Sequence, residues 1–509
     1  MSSPPAPTTP CDPPPRPASA GPPSPAGAPA VPQGRAFSNA AWTMSGHVAM
    51  QAMRFAGNLI LTRLLFPEAF GLMALVNVLL QGLYMLSDVS LGPCVVQSRR
   101  GDDPDFLNTA WTLGILRGAV LWVLATALAW PLAAFYGEPQ LLPVTAVLAF
   151  TTFLTGFTST ATHTLNRNLL RARLVIMEVG VYAASLTLMT AWVWWHPTVW
   201  ALVGGTVFSC VAQVALSHVF LPGIRNRLHW DRAAAWEIFS FGRWIFLSTG
   251  LAFVTGQFDR PVIGGLFGMA TLGIYNLGAH LAGLPAGMLS GLIDHLVFPL
   301  CSRLHRNGAD LSAGYARIHL IVALPAAAGV TAMMVAGPAA VQVLYDSRYH
   351  AAGEVLQVLA AGIWFVMIQG VANALLMATG RSRLVAAANL GKLAGLMVLV
   401  PAGWWAGGWH GLLLGIVGAD VCKYLVTAWA VRREAAGALR HDLVLSVLIA
   451  VVALSATEIA ALSSVPTQAL TQLVCRLLVV ALMWSAVAAA WWAGHLLRNP
   501  PVPAAEPVP

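Results

Sequence analysis

From Ala40 almost to the C-terminus, long apolar runs follow one another, separated by short breaks that carry Gly, Pro or charge. About 20 apolar residues in helical form cross the ~30 Å hydrocarbon core of a bilayer, and short polar breaks suit antiparallel membrane helices. The pattern predicts fourteen helices, over 39–63, 70–96, 108–134, 141–164, 174–195, 199–221, 239–262, 273–300, 316–341, 352–378, 384–406, 409–431, 442–463 and 468–495. The expected fold class is therefore an all-α polytopic membrane protein. Residues 1–34 break the pattern: they hold thirteen prolines with Ala, Ser and Gly between them. Such a segment buries no apolar surface and is expected to be a disordered tail, as is 499–509. It lacks the basic-then-apolar order of a signal peptide.

Two stretches share one design of helix, Gly-containing bend and helix. Ser240 to Leu277 reads SFGRWIFLSTGLAFVTGQFDRPVIGGLFGMATLGIYNL, and Asn58 to Leu75 reads NLILTRLLFPEAFGLMAL. Setting Gly71 on Gly273, an offset of 202, also sets Leu64 on Leu266, Leu65 on Phe267 and Phe70 on Leu272. The offset maps helices 1–6 onto 7–12. Six is even, so both halves start with the same orientation and form parallel repeats about an axis along the membrane normal, with the substrate path expected between them. The expected organisation is an N-lobe over 36–232, a C-lobe over 233–435 and a C-terminal helix pair over 436–498 outside the repeat.

Charge orients this array. Every second break is basic: Arg16 and Arg35, then Arg99 and Arg100, Arg167, Arg171 and Arg173, Arg225, Arg227 and Arg232, Arg303 and Arg306, Arg381 and Arg383, Arg432, Arg433 and Arg440, and Arg498. The alternate breaks hold only Arg63 and Arg348. Positive residues mark the cytoplasmic side, which places both termini there. Trp192, Trp194, Trp195, Trp200, Trp404, Trp405 and Trp409 flank the outer breaks as an aromatic belt. Composition agrees: of 509 residues 57% are hydrophobic and 9% charged, against about 25% charged in soluble domains. The net charge of +8 follows from the positive-inside bias and gives no ground for nucleic-acid binding. The six cysteines are singletons without metal-ligand spacing, and the histidines form no ligand cluster. No P-loop, GxSxG or other catalytic signature is present. No catalytic residue, metal site or cofactor is therefore expected.

Chemistry must then reside in ionisable groups within the membrane, where a charge costs roughly 2.5–3.5 kcal/mol on insertion scales. Arg54 falls near mid-depth of helix 1 with no acid one turn away. It reads as a cavity-lining cation for an anionic headgroup, or as a member of a buried pair. Asp259 and Arg260 are adjacent, about 100° apart on a helix, and are expected within a turn of the outer end of helix 7, where snorkelling makes charge cheap. Asp88 and Arg117 fall in the inner third of helices 2 and 3 and can pair. Asp420 and Lys423 share a face of helix 12, within reach of Lys392 on helix 11; a pocket wall and a local ion-pair network both fit. Glu458 and Arg476 are expected to pair in the last hairpin.

The stretches LLFPEAFGLMALV at 64–76, LSDVSLGPCVVQ at 86–97 and FDRPVIGGLFGMATLGIYNLG at 258–278 resemble the paired signatures of bacterial oligosaccharide flippases of the polysaccharide biosynthesis family. That family lies within the multidrug/oligosaccharidyl-lipid/polysaccharide exporter superfamily, and the resemblance covers roughly 36–435. It implies a two-lobed inner-membrane carrier that moves an undecaprenyl-diphosphate-linked oligosaccharide from the cytoplasmic to the periplasmic leaflet. The product would be an exopolysaccharide, capsule or lipopolysaccharide O-antigen. On that reading Arg54, Arg63 and Arg260 hold the pyrophosphate, with Lys392 and Lys423 as further substrate-binding residues. Asp88, Asp259 and Asp420 are the ion-coupling or gating groups. Expected partners are the lipid-linked oligosaccharide, membrane lipids, a polysaccharide polymerase and glycosyltransferases. Two alternatives remain: a multidrug cation exporter of the same superfamily, which calls for an acid-dominated cavity, and a non-transporting scaffold of a polysaccharide synthase complex.

Overall fold

A computed structural model describes residues 33–87, 91–98, 100–167, 171–306, 311–432, 435–462 and 469–498. Asp88 and, of the expected disordered tails, 1–32 and 499–509 lie outside these residues; Gln33 and Gly34, expected in the tail, instead open the first helix. The first bundle comprises α1 Gln33–Leu64, α2 Pro67–Leu86, α3 Leu91–Gln97, α4 Pro104–Tyr136, α5 Leu141–Gly156, α6 Ala161–Arg167, α7 Arg171–Trp195 and α8 Val199–Val219. The second comprises α9 Arg232–Gln257, α10 Asp259–Leu292, α11 Phe298–Arg306, α12 Leu311–Leu344, α13 Ala352–Ala378 and α14 Ser382–Val431. A last hairpin, α15 Ala436–Leu462 and α16 Ala469–Arg498, packs on α12. There is no strand among the described residues, and ten helical stretches there are long and apolar enough to cross a membrane. Two of the ten, Thr249–Leu292 and Ser382–Val431, contain a sharp glycine kink. The fourteen expected spans count the arms of each kinked stretch separately, together with α1 and the shorter α5.

Local chemistry sets the ends of the helices. Pro67 opens α2 after the extended Phe66, where a missing N–H costs nothing. Asp103 and Asp231 cap α4 and α9, accepting from the Asp105 and Ala233 amides, which satisfies donors that the first turn leaves unpaired. Gly268 turns α10 at φ 80° and ψ 178°, a conformation open to glycine. Across it the chain doubles back, so that Arg260 meets Asn276 and Asp259 meets Tyr275. Gly407 and Gly408 turn α14 in the same way. There, Gly403 and Gly411 approach so closely that a Cβ on either would lie about 2 Å from the other's carbonyl oxygen. In lipid, helix association rests on close packing of small residues rather than on hydrophobic burial.

The two bundles meet by the same device. A Cβ on Gly71 would lie 1.9 Å from the Met269 carbonyl oxygen, and a Cβ on Gly273 would lie 1.9 Å from that of Pro67. Pro67 and Met269 are related by the same 202-residue offset as Gly71 and Gly273. The contact is thus reciprocal: each arm places its glycine on the other's first helical turn. Leu65, Leu72, Leu272 and Tyr349, all buried, surround the crossing. The bend at Phe66 and the bend at Gly268 obey the offset too. We call the end of the molecule that carries these bends the bend face, and the opposite end the terminal face.

A buried polar network ties the last hairpin to the second bundle. His319 of α12 pairs with Asp442 of α15 at 2.6 Å, the Tyr424 hydroxyl donates to Asp442 at 2.8 Å, and the Trp364 indole donates to Ser446 at 2.8 Å. The expected Glu458–Arg476 pair is replaced by a different contact: Arg476 donates to the Val335 carbonyl at 3.2 Å.

Candidate functional site

Beneath the glycine crossing lies a cavity of about 260 Å³ to which both bundles contribute. Arg54, Asn58 and Thr62 come from α1, Tyr182 from α7, and Asn276 and His280 from α10; Phe70, Gly273 and Tyr349 form its roof. Arg54, Asn58 and Thr62 are four residues apart, so one face of α1 supplies all three. Arg54 is exposed to the cavity, and no carboxylate lies within ion-pair distance of it among the described residues. Its charge acts on Tyr182 and His280, and that of Arg260 acts on His280 as well. Arg54 of the first bundle lines the chamber, and Arg260 of the second bundle stands behind its wall, bonded to the lining residue Asn276.

Asp259 and Arg260 are placed deeper than expected. The helix does not stop at 262; it runs on to the kink at Gly268, so the pair lies about 12 Å along the helix from the bend at ~1.5 Å per residue. Snorkelling over that distance is out of reach, and each group is held across the hairpin instead. The Tyr275 hydroxyl donates to Asp259, and Arg260 Nε donates to Asn276 Oδ1 at 3.2 Å. In the adjoining hairpin Lys392 Nζ and Asp420 Oδ1 are 2.6 Å apart, with side chains 17% and 10% exposed. The charges of Lys423 and Asp259 also reach Asp420.

Arg63 does not line the cavity. It sits at the bend face in a strap that joins the bundles: it donates to the Leu344 carbonyl at 3.4 Å, while Arg348 donates to the Arg63 carbonyl at 3.0 Å. Tyr349 donates to the Leu65 carbonyl at 3.1 Å, and the Arg348 guanidinium lies 4.6 Å over the Phe66 ring. Strap and glycine crossing together close the bend end of the cavity. Asp88 lies outside the described residues; its expected partner Arg117 stacks 4.2 Å over Tyr84 and donates to Ser87 Oγ at 3.0 Å. On the terminal face Arg100 binds both Asp103 and Asp231 at 2.9 Å, linking the two bundles. Hydrogen bonds from Arg100 are the main cause that holds both carboxyls below the usual range.

A search for charges misses the neutral members of the site: Asn58, Thr62, Tyr182, Asn276 and His280. Two signals point to Asn58. It stands one helical turn from Arg54, and the 202 offset sets it on Arg260. Asn77, Gln81 and Tyr84 are likewise exposed along one face of α2, and Gln81 accepts from Gln257 of α9 at 3.1 Å. Amides at that depth are costly against lipid and belong on a cavity wall.

Paired bundles of apolar helices with glycine-kinked hairpins define a multi-pass membrane fold. The structure of the lipid II flippase MurJ in an inward closed conformation superposes with a TM-score of 0.68 at 11% identity, covering 89% of this chain and 100% of that one. Residues 60–354 match the polysaccharide biosynthesis protein family, and the chain belongs to it. Among curated relatives, an uncharacterized membrane protein in the cps region of Klebsiella pneumoniae is 19% identical over 75% of this chain and 78% of that protein. The teichuronic acid biosynthesis protein TuaB of Bacillus subtilis (strain 168) is 22% identical over 58% of this chain and 62% of that one. The family is one of polysaccharide biosynthesis, and the fold is that of the solved lipid II flippase.

Proposed function

We propose that this chain flips an undecaprenyl-diphosphate-linked oligosaccharide from the cytoplasmic to the periplasmic leaflet of the bacterial inner membrane, for surface polysaccharide synthesis. The observation that carries this reading is the chamber between the bundles. It is lined by Arg54, with Arg260 behind Asn276 of its wall, leaves Arg54 without a carboxylate partner among the described residues, and is roofed by a closed bend face. A diphosphate presents what two guanidiniums bind best, since the planar fork matches phosphate oxygens in bidentate fashion. Asn276 positions Arg260 for that role. Lys423 adds positive charge behind the pair, and the charge-bearing hairpins of Asp259 and Asp420 move with the second bundle as coupling or gating groups. Arg63 belongs to the roof: it is released when the bend face opens. Transport is rocking of the first bundle against the second about the cavity, with the basic terminal face in the cytoplasm.

The test is genetic and chemical. A strain lacking the gene carries wild type, Arg54→Ala, Arg260→Lys or an empty vector, with equal membrane levels checked by blot. Surface polymer and total lipid-linked oligosaccharide are then quantified. The expected result is loss of polymer and accumulation of precursor in the empty strain and with Arg54→Ala, and a partial loss with Arg260→Lys, which keeps the charge without the fork. Unchanged polymer and precursor in the deletion strain would refute the reading.

A further inference from the structure

The second bundle contains a charge cluster away from the Arg54 face of the cavity. Asp259 and Tyr275 stand on the two arms of α10, Lys392 on the first arm of α14, and Asp420 and Lys423 on its second arm. Lys392 Nζ sits 2.6 Å from Asp420 Oδ1. The fold makes room for this carboxylate at Gly362 of α13, where a Cβ would come 3.3 Å from Asp420 Oδ2. The charges of Asp259, Lys392 and Lys423 all act on Asp420, and those of Asp259, Arg260 and Asp420 all act on Tyr275. The cluster thus holds two carboxylates and three fixed cations.

A carrier that binds a metal cation needs vacant oxygens, several of them around one point, for a hard ion such as Na⁺. Here one oxygen of the more buried carboxylate already carries an ammonium at contact distance. The other carboxylate accepts from Tyr275, and a further cation would meet three positive charges that cannot leave. Among the described residues no group of three or more His, Cys, Asp or Glu side chains could hold a metal ion. A lysine in the membrane interior without a carboxylate would be costly, so the two groups stabilise each other, and removing one strands the other.

We infer that Lys392 is a tethered cation: its ammonium fills, within the Asp420 site, the place that a transported Na⁺ or K⁺ would take, so that the carrier works without binding either ion. This goes beyond the flippase reading, and its cation-binding half stands independently of that reading. Lys392 acts on the cycle as a positioning residue, through Asp420, rather than by touching the substrate.

The experiment uses the purified full-length protein in detergent. Equilibrium binding of ²²Na⁺ is measured, and melting temperature is recorded in NaCl, methylammonium chloride or choline chloride at one ionic strength. Wild type is expected to show no saturable ²²Na⁺ binding and the same melting temperature in all three salts. Lys392→Ala is expected to melt lower, with recovery in methylammonium, which replaces the deleted amine, or in Na⁺, but not in choline, which is too large. Saturable ²²Na⁺ binding by wild type that disappears in Asp420→Asn would overturn the inference, as would a Lys392→Ala protein indifferent to all three salts. Should Lys392→Ala fail to fold, the neutral pair Lys392→Met with Asp420→Asn replaces it. That protein should fold, bind no ²²Na⁺ and fail to restore polymer in the deletion strain; full restoration would show that the pair only packs the helices and would sink its role in the cycle. The flippase reading fails separately, if the deletion strain itself makes normal polymer.

Discussion

Gly71→Ala adds one methyl group at the point where the bundles meet. Its Cβ would lie 1.9 Å from the Met269 carbonyl oxygen and 2.8 Å from the carbonyl carbon. Ordinary contact begins at about 3.4 Å, so roughly 1.5 Å of separation must appear, and both neighbours are backbone that no rotamer change can move aside. Overpacking of this kind costs about 1–3 kcal/mol. Part of that strain disappears when the bend face opens, because the crossing separates. A differential of that size shifts the sealed-to-open balance by about 5- to 150-fold. Gly273→Ala strains the reciprocal contact and should act alike, and the double variant should fall short of the sum because one separation relieves both contacts. Gly180, with open space around its Cβ position, is the control: Gly180→Ala should change nothing. The reporter is a cysteine placed by Thr62→Cys in the cavity wall next to the roof, labelled in cells with a permeabilised outer membrane by an inner-membrane-impermeant maleimide. Labelling should be faster in Gly71→Ala than in the parent by about tenfold, the factor that ~1.4 kcal/mol gives, and export should fall as the sealed state is lost. An unchanged labelling rate, in a protein that accumulates normally but melts lower, would show the crossing to be packing alone and refute the argument.

Other perturbations separate the remaining interactions. Arg348→Ala removes the strap's hydrogen bond to Arg63 and its stacking on Phe66; at an exposed site this is worth about 0.5–1 kcal/mol, so the same reporter should label only a few-fold faster. Asp442→Ala leaves His319, which is 1% exposed, and the Tyr424 hydroxyl without their partner; an unsatisfied buried polar group costs about 1–3 kcal/mol, and thermal unfolding should reveal the loss, with Asp442→Asn milder because it keeps hydrogen-bonding oxygen and nitrogen. The Arg100 clamp carries a pH signature. Asp103 and Asp231 have folded pKa values below their unfolded value of about 3.9, so their contribution is fully present above that pH and is lost as pH falls through the folded values. Melting temperature should therefore drop below about pH 4 in wild type, and less steeply in Arg100→Gln.

Much of this architecture is legible in the chain because the bilayer constrains it. Apolar run length located the helices, and glycine with proline located the bends, since a helix in lipid can stop only where its backbone groups find other partners. The 202 offset makes Gly71 and Gly273 equivalent positions, but nothing in one dimension says that the repeats touch there. Helix 7 is expected to end at 262, where glycines begin, but of Gly264, Gly265 and Gly268 only Gly268 leaves helical geometry, and Phe258 remains helical at φ −57° and ψ −35°. Within the site, charged residues announce themselves by their cost in lipid, whereas Asn276 and His280 do not. The His319–Asp442 contact joins residues 123 positions apart, and Asp442 by itself reads as an acid at a helix end.

Flipping is read most directly from which leaflet holds the lipid-linked oligosaccharide. Right-side-out membrane vesicles from strains blocked in polymerisation expose only the periplasmic leaflet, so impermeant periodate followed by hydrazide labelling reports the precursor there. With wild-type protein the precursor should be labelled. In the deletion strain, and with Arg54→Ala, it should be present in at least equal amount but unlabelled until the vesicles are opened. Precursor labelled to the same extent in sealed vesicles without the protein would contradict the account.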